Sequence, residues 1–373
     1  MSAQYYHPEM VRFAFVLGIV VSILFYERTQ LTTGGIAAPG YLAFAVFDPL
    51  ILPGVLLAAL ATHGLIHRAL ARVVLMPDAA QFSLLILVSA AIHLALDIVV
   101  VLTTELGPSA QLLRGIGFII PGLIAHDFAR HGVGRTIASV TGTSALVAAV
   151  LLALVVLLPE VGRLRTSPAR ETVALALAYL PGLILISLIA WLGLARVHGL
   201  RCGGFLGGAY LTLLVLQPAE LLRYGIAAVV TLLIVRHAIA PAVILFGRRR
   251  FAAHMLVGAV LNWTLVRVAE LHFAADTLSV VTPSLAVLGV LLTGLLSSDM
   301  DHAGVLPTLA GAGLSVAFAL PATLLLLEAV TEQRVAVAAP LLAIVVVGGG
   351  LMATPPARLH RLAASLQLRK APQ

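Results

Sequence analysis

The sequence predicts an all-α polytopic membrane protein built from two parallel tandem repeats, each with about four spanning helices and short Gly/Pro-rich segments. The first observation is composition: of 373 residues, 61% are hydrophobic and 10% are charged, whereas soluble domains carry about 25% charged residues. Too few polar side chains remain to cover a soluble protein of this length, so we expect lipid to cover much of the surface. The second observation is an internal repeat at constant spacing.

The formal net charge is +7, and the basic residues lie between apolar runs. In this position they typically anchor loops on the cytoplasmic side. They are not interleaved with aromatic residues, which argues against nucleic acid as a partner. Cys202 is the single cysteine, so neither an intramolecular disulfide nor a cysteine-based metal site can form. No small-residue cleavage pattern follows the first apolar run, which we interpret as a retained first helix.

A spanning helix needs about 20 mostly apolar residues, and each half of the chain supplies four candidates. They are 10–26, 50–72, 82–103, 135–158, 173–195, 224–244, 252–271 and 305–327. Each half also contains two short stretches with glycine or proline, which we interpret as broken or re-entrant segments. These are 34–47, 115–125, 203–216 and 285–296. A further apolar run at 335–352 leaves the helix count open by one.

The repeat holds in two registers. At an offset of 169 the recurring residues are Gly34, Gly35, Tyr41, Leu42, Pro49 and Phe82, which match Gly203, Gly204, Tyr210, Leu211, Pro218 and Phe251. At an offset of 172 they are Gly117, Gly122, Leu123, Asp127, Gly132 and Thr136, which match Gly289, Gly294, Leu295, Asp299, Gly304 and Thr308. We interpret this as a tandem duplication with a membrane repeat at 1–160, a basic linker at 161–171, a diverged second repeat at 172–330, and an apolar segment with a basic tail at 331–373.

The basic loops at 67–78 and 236–249 are predicted to be cytoplasmic, which makes the two repeats parallel. With four crossings per repeat, the N-terminus would be cytoplasmic too. A crossing at 335–352 would then place the basic tail outside the cell, whereas basic segments are expected on the cytoplasmic side.

Charges near apolar segments cost about 2.5–3.5 kcal/mol each on insertion scales, so each implies a partner, water or a function. Two places in the first repeat combine such charges with glycine and proline, whose exposed backbone amides suit an anionic substrate. The candidate binding or assembly residues are Glu27, Arg28, Thr29, Pro39, Gly40, Tyr41, Arg114, Gly115, Gly117, Pro121, Gly122 and Asp127. The alternatives are an interfacial ion pair and a solvated loop.

Other polar residues have simpler interpretations. Ser89, His93 and Asp97 recur every four residues, which favours an interhelical hydrogen-bond network over a proton relay. His126 and His131 do not share a helical face, so no metal site is predicted.

The second repeat retains glycines and Asp299 but replaces Glu27 and Arg28 with Arg196 and Val197. This favours one active repeat and one scaffolding repeat. No phosphate loop, G-x-S-x-G elbow or H-E-x-x-H motif occurs in the chain. Catalytic residues are therefore unassigned, and an ATP-driven reaction would need another subunit.

Several short motifs in the first repeat occur together and in order. They are E-R-T at 27–29, P-G-Y-L-A at 39–43, R-G-I-G at 114–117 and P-G-L-I-A at 121–125. These motifs resemble the PgsC/CapC family, the small membrane subunits of bacterial poly-γ-glutamate synthases. The resemblance covers about 11–158, whereas the second repeat has Gly208 and Ala209 where the family has P-G.

The resemblance implies a multi-pass subunit of the bacterial cytoplasmic membrane that serves a synthase of poly-γ-glutamate or a related amide-linked polyanion. A PgsB/CapB-like amide ligase is the implied partner and a PgsA/CapA-like subunit a further one. ATP and Mg are expected in the ligase, with no cofactor in this chain. The arginines and broken-helix amides of the first repeat are then expected to hold or export the anionic polymer. An independent secondary transporter and a purely structural membrane anchor are the alternatives.

Overall fold

The computed structural model describes residues 8–46, 51–70, 81–82, 84–92, 95, 119–157, 180–198, 203–215, 218–272 and 283–330. These residues are helical apart from short turns, and no strand occurs among them. Helices long and apolar enough to cross a membrane lie at Met10–Thr29, Val133–Leu154, Glu220–Ile239 and Gly247–Val268. The chain is therefore a polytopic all-α membrane protein, as the composition predicts.

The helices are numbered in chain order. The first repeat contains α1 (Pro8–Thr29), α2 (Ala38–Leu42) with a 3-10 extension at Ala43–Val46, α3 (Ile51–Gly64) with a π-helical extension at Leu65–Leu70, α4 (Ile120–His131) and α5 (Val133–Leu157). The second contains α6 (Leu180–His198), α7 (Gly204–Val215), α8 (Pro218–Leu233) with a π-helical extension at Ile234–Ile239, α9 (Gly247–His272), α10 (Pro283–Ala303) and α11 (Val305–Val330).

The ends of these helices repeat with the spacing found in the sequence. The two π-helical extensions begin at Leu65 and Ile234, 169 residues apart. α4 and α10 end at His131 and Ala303, 172 residues apart. The tandem duplication is thus present in the backbone as well as in the residue identities. The residue limits given above for repeats, linker and tail stay a prediction.

Two of the predicted short stretches are short helical elements. The described part of 34–47 forms a glycine turn followed by α2 and its 3-10 extension, and the described part of 203–216 forms α7 after Gly203. Only the last part of 115–125 is described, and it lies in α4. The apolar run at 335–352 lies outside the described residues.

The stretch 285–296 is not broken, and that part of the prediction is wrong. It belongs to α10, a continuous helix of 21 residues. Its glycine serves helix packing: a Cβ added at Gly294 would lie 2.7 Å from Cα of Met255 in α9. Glycine in an apolar helix can allow close backbone approach without ending the helix, and sequence alone does not separate these two uses.

The chain forms two compact units. Unit one comprises Met1–Pro181 and Pro218–Ser298, and unit two comprises Gly182–Gln217 and Asp299–Gln373. In unit one, α1 packs against α2, α5 and α9, while α3 packs against α4 and α8 against α9. In unit two, α7 packs against α11. Unit one therefore joins helices of both repeats.

The last turn of α1 meets the first turn of α9. The guanidinium of Arg248 lies 4.6 Å from the ring centre of Tyr26, and Arg249 forms an ion pair with Glu27. The start of α1 and the loop before α9 therefore lie at opposite ends of unit one. This arrangement disagrees with the expectation that the N-terminus shares a side of the membrane with the loop at 236–249.

The path of the short segment between α1 and α3 accounts for this difference. Gly34, which follows α1, donates to Asp127 in α4. His63, near the end of α3, contacts Phe128, the residue that follows Asp127 in α4. The ends of α1 and α3 thus lie at the same end of unit one. The chain must run back between them, and the segment that includes α2 lies against α1 on this return path.

We therefore predict that the N-terminus and the α8–α9 loop lie on opposite sides of the membrane. Cysteine is introduced by Ser2→Cys or Ala242→Cys in a Cys202→Ser background, and right-side-out vesicles are treated with a membrane-impermeant maleimide. Because the basic loop should be cytoplasmic, position 2 should react at once and position 242 only after permeabilisation. Equal reactivity of the two positions in sealed vesicles would contradict this arrangement.

Candidate functional site

A carboxylate from α4 holds the glycine turn that follows α1. The backbone N–H of Gly34 donates to Oδ2 of Asp127 at 2.9 Å, and both residues are buried. Gly34 and Gly35 have φ of +74° and +99°, a region that favours glycine because a Cβ would clash with the backbone. A hydrogen bond to a charged group contributes about 1.5–3 kcal/mol. Asp127 therefore stabilises the break after α1.

The second repeat builds the same turn. The N–H groups of Gly203 and Gly204 donate to Oδ2 of Asp299 at 3.0 and 3.1 Å. The φ angles of these glycines are +80° and +67°. Asp127 and Asp299, which match at the offset of 172, thus accept from the glycine turn of their own repeat.

The end of the aspartate-bearing helix is also repeated. Gly132 and Gly304 have φ of +84° and +93°, and each separates this helix from the next one. Thr136 and Thr308 donate their hydroxyl hydrogens to the carbonyl oxygens of these glycines, each at 2.9 Å. Two matched positions, Gly132/Gly304 and Thr136/Thr308, therefore form a turn that occurs once in each repeat.

The predicted residues at the end of α1 have different surroundings. Glu27 forms a two-oxygen ion pair with Arg249, in which Nε donates to Oε1 at 2.6 Å and Nη2 donates to Oε2. Arg28 is exposed. The Thr29 hydroxyl donates to the carbonyl oxygen of Phe25 at 2.8 Å. The sequence singled out Glu27 but not its partner, which lies 222 residues later.

The predicted proline and glycine residues lie at helix contacts. Pro39, Gly40 and Tyr41 are buried in α2, and a Cβ added at Gly40 would lie 2.6 Å from the carbonyl oxygen of Ala14 in α1.

The other predicted proline and glycine begin α4. Pro121 and Gly122 lie in its first turn, where a Cβ at Gly122 would lie 2.9 Å from Cα of Ile86 and 3.1 Å from Cβ of Ser89. The remaining candidates, Arg114, Gly115 and Gly117, lie outside the described residues, as do His93 and Asp97.

One end of unit one is strongly cationic, and we term it the basic end. Its arginines are Arg28, Arg130, Arg135, Arg236, Arg248 and Arg249. Arg248 lies within electrostatic reach of Asp127 and Arg130, which connects α9 to α4. Among the residues that the structure describes, the acidic ones at this end are Glu27 and Asp127, and both are already engaged by the contacts above. An anion approaching the basic end would meet mainly guanidinium groups, which bind carboxylates through paired N–H donors.

A second polar cluster lies away from the basic end, and sequence reasoning missed it. Arg223 in α8 donates from Nε to Oε2 of Glu220 at 3.1 Å and from Nη1 to Oδ1 of Asn262 at 2.7 Å. Its guanidinium carbon lies 4.5 Å from the ring centre of Tyr224. Arg12 is 2% exposed and lies within electrostatic reach of Tyr224. The available signal was a pair of charges three residues apart inside an apolar helix.

The histidines of unit one form aromatic contacts. The rings of His63 and His67 lie 4.6 Å apart, and His126 packs edge-on against Phe82 at 5.0 Å. Within the described ranges, no group of three or more His, Cys, Asp or Glu side chains is placed to hold a metal ion.

We predict that Asp127→Ala and Asp299→Ala each lower stability, because each removes the carboxylate that accepts from the glycine turn of its repeat. The expected loss is about 1.5–3 kcal/mol per site, measured by thermal or denaturant unfolding in detergent. Asp→Asn retains a neutral acceptor and should lose less. If both alanine variants unfold like the parent protein, the carboxylate does not hold the turn.

The family model "Capsule biosynthesis CapC" matches residues 17–137 and 184–309. The chain is similar to the "PGA biosynthesis protein CapC" of Bacillus subtilis (strain 168), with 28% identity over 127 residues, which is 34% of this chain and 83% of the relative. It is also similar to the "Capsule biosynthesis protein CapC" of Bacillus anthracis, with 31% identity over 125 residues, which is 33% of this chain and 81% of the relative.

No solved structure matches the chain. The two family-matched segments together cover more than half of the chain, and one falls in each repeat. The chain therefore belongs to the capsule biosynthesis CapC family and carries the family's membrane unit twice.

Proposed function

We propose that this protein is a multi-pass subunit of the bacterial cytoplasmic membrane in a synthase of poly-γ-glutamate or a related amide-linked polyanion. The observation that carries the proposal is the family match to both repeats. The names of the two relatives refer to PGA and capsule biosynthesis. The abundance of apolar helices supports the membrane location.

The role proposed for the first repeat is to hold the anionic polymer at the membrane surface. Arg28 is exposed at the basic end and lies within the first family-matched segment. Arginine is suited to this role because its planar guanidinium binds a carboxylate through two parallel hydrogen bonds. The six arginines of the basic end outnumber Glu27 and Asp127, so the field of this end is positive toward a polyanion. The same role is proposed for Arg114, because it begins the R-G-I-G motif at 114–117.

The partner proposed is an ATP-dependent amide ligase of the PgsB/CapB type, with a PgsA/CapA-like subunit as a further partner. The ligase would bind ATP and Mg and activate the terminal carboxylate of the polymer, while this chain holds the polymer and passes it outward. The absence of a phosphate-binding loop from the sequence supports this division of labour. The chain would then be a subunit that binds no nucleotide.

An independent secondary transporter is the second candidate. It is favoured by one observation, the glycine-broken helices that occur once in each of two repeats, since many transporters share this design. Affinity purification in mild detergent from native membranes separates the two functions. A co-purifying amide ligase with ATP- and glutamate-dependent polymer synthesis supports the synthase subunit, whereas recovery of this chain alone, without polymer, supports the transporter.

We predict that Arg28→Ala combined with Arg114→Ala lowers polymer yield about tenfold or more, since each change removes a charge-assisted contact of about 1.5–3 kcal/mol. The yield is measured per amount of protein in the membrane. Arg369→Ala is the control, because Arg369 lies outside both family-matched segments. An unchanged yield from the double variant would argue strongly against polymer holding by these arginines.

A further inference from the structure

The cluster around Arg223 lies at the end of unit one opposite the basic end, within the first two turns of α1 and α8. Arg12 precedes Glu27 by 15 residues in α1, which is about 22 Å along a helix that rises 1.5 Å per residue. Asn262 follows Arg249 by 13 residues in α9, which is about 20 Å by the same measure. Because α1 and α9 meet at the basic end, the two estimates place the cluster at a similar distance from the basic end on both helices.

The charges of this cluster are largely removed from solvent. The side chains of Arg223 and Glu220 are 13% and 12% exposed. Tyr224 and Asn262 are buried. Removing such an ion pair from water costs several kcal/mol per charge before its attraction is counted. In apolar helices, charged residues of this kind usually mark a binding or transport site.

The first repeat shows that the helix does not need these charges in order to fold. The positions that match Glu220, Arg223 and Tyr224 at the offset of 169 are Ile51, Gly54 and Val55. They lie in α3, which has the same end and the same π-helical extension as α8. The ion pair is therefore an addition to the shared framework.

Arg223 pairs with Glu220 through one of the two carboxylate oxygens. Both Nε and Nη2 of Arg223 donate to a single oxygen of Glu220, Oε2. Arg249 at the basic end instead meets both carboxylate oxygens of Glu27. A two-oxygen fork is the stronger geometry for arginine and a carboxylate, so a ligand carboxylate that offers both oxygens can compete with Glu220 for Arg223.

We propose that Arg223 and Asn262 form a carboxylate-binding site inside unit one, and that Glu220 occupies it until a ligand carboxylate takes its place. Arg223 supplies the charge and the paired donors. The Asn262 side chain accepts from Nη1 and orients the guanidinium, and Arg12 adds positive charge nearby. Glu220 stays tethered to α8 when it is displaced, so an entering carboxylate adds one negative charge to the cluster. Arg12 lies within electrostatic reach of the cluster and can balance that charge.

This inference deepens the proposed function and rests on it for the identity of the ligand as a carboxylate-bearing polymer. A polymer held at the basic end and passed outward would meet this site about 20 Å further along the helices, using the 1.5 Å rise per residue. Glu220 would then act as a placeholder between successive side-chain carboxylates. Arg223 is a binding residue and Glu220 its internal competitor.

The test measures binding of a short γ-linked glutamate oligomer to the purified full-length protein in nanodiscs by calorimetry. The amide analogue of the oligomer, which has no charge on its side chains, serves as the ligand control. Glu220→Gln should tighten one class of site about tenfold, because a competing charged partner is removed. Arg223→Met should abolish that class, Arg223→Lys should weaken it because lysine lacks the fork, and Arg369→Met should leave it unchanged.

The gain with Glu220→Gln is the decisive result, because misfolding cannot tighten binding. Thermal unfolding of each variant accompanies the titrations. If Glu220→Gln binds the oligomer no more tightly than the parent protein, the proposal is overturned, whether or not Arg223→Met unfolds. Failure of the synthase function is a separate outcome: the ligase would not co-purify, whereas the affinity gain of Glu220→Gln would remain.

Discussion

The arrangement of unit one depends on a single hydrogen bond between a carboxylate and a glycine amide. In an apolar bundle a broken helix leaves backbone N–H groups that water does not reach, and such groups must find partners inside the protein. Asp127 supplies that partner for Gly34. The bond fixes where the chain turns after α1, which determines how α2 lies on α1 and how the arginines collect at one end. Asp299 supplies the same partner in unit two.

The sequence was sufficient for the features that depend on residue identity. Composition predicts an all-α membrane protein, and the recurring glycines, Asp127 and Asp299 predict a duplication that the backbone confirms. The features that depend on which remote residues pack together were not predictable from the sequence. Gly34 and Gly294 look equivalent in sequence, yet one has a φ of +74° and the other admits the backbone of α9. The packing disagrees with the expected side of the N-terminus because the short α2 segment runs back along α1, which its length does not reveal.

The second repeat is less of a passive scaffold than its lost residues suggested. It lacks the charges found at 27–28, but it carries Glu220 and Arg223 where the first repeat has Ile51 and Gly54. When matched positions are compared, a residue of the first repeat that is replaced in the second is easy to notice. A charge that the second repeat alone carries is harder to interpret. Glu220 and Arg223 become informative only when the packing of α8 against α9 places Arg223 beside Asn262.

The contact between α1 and α9 joins helices from different repeats within one chain. A protein with one membrane unit could form this contact only with a second molecule. In a pair of identical subunits, every substitution would appear twice, at both symmetry-related positions. Fusion of the units removes that constraint, so Ile51 and Glu220 can differ while both helices keep their neighbours. The duplication therefore permits an asymmetric membrane core at a fixed one-to-one ratio of its halves, which a homodimer cannot achieve.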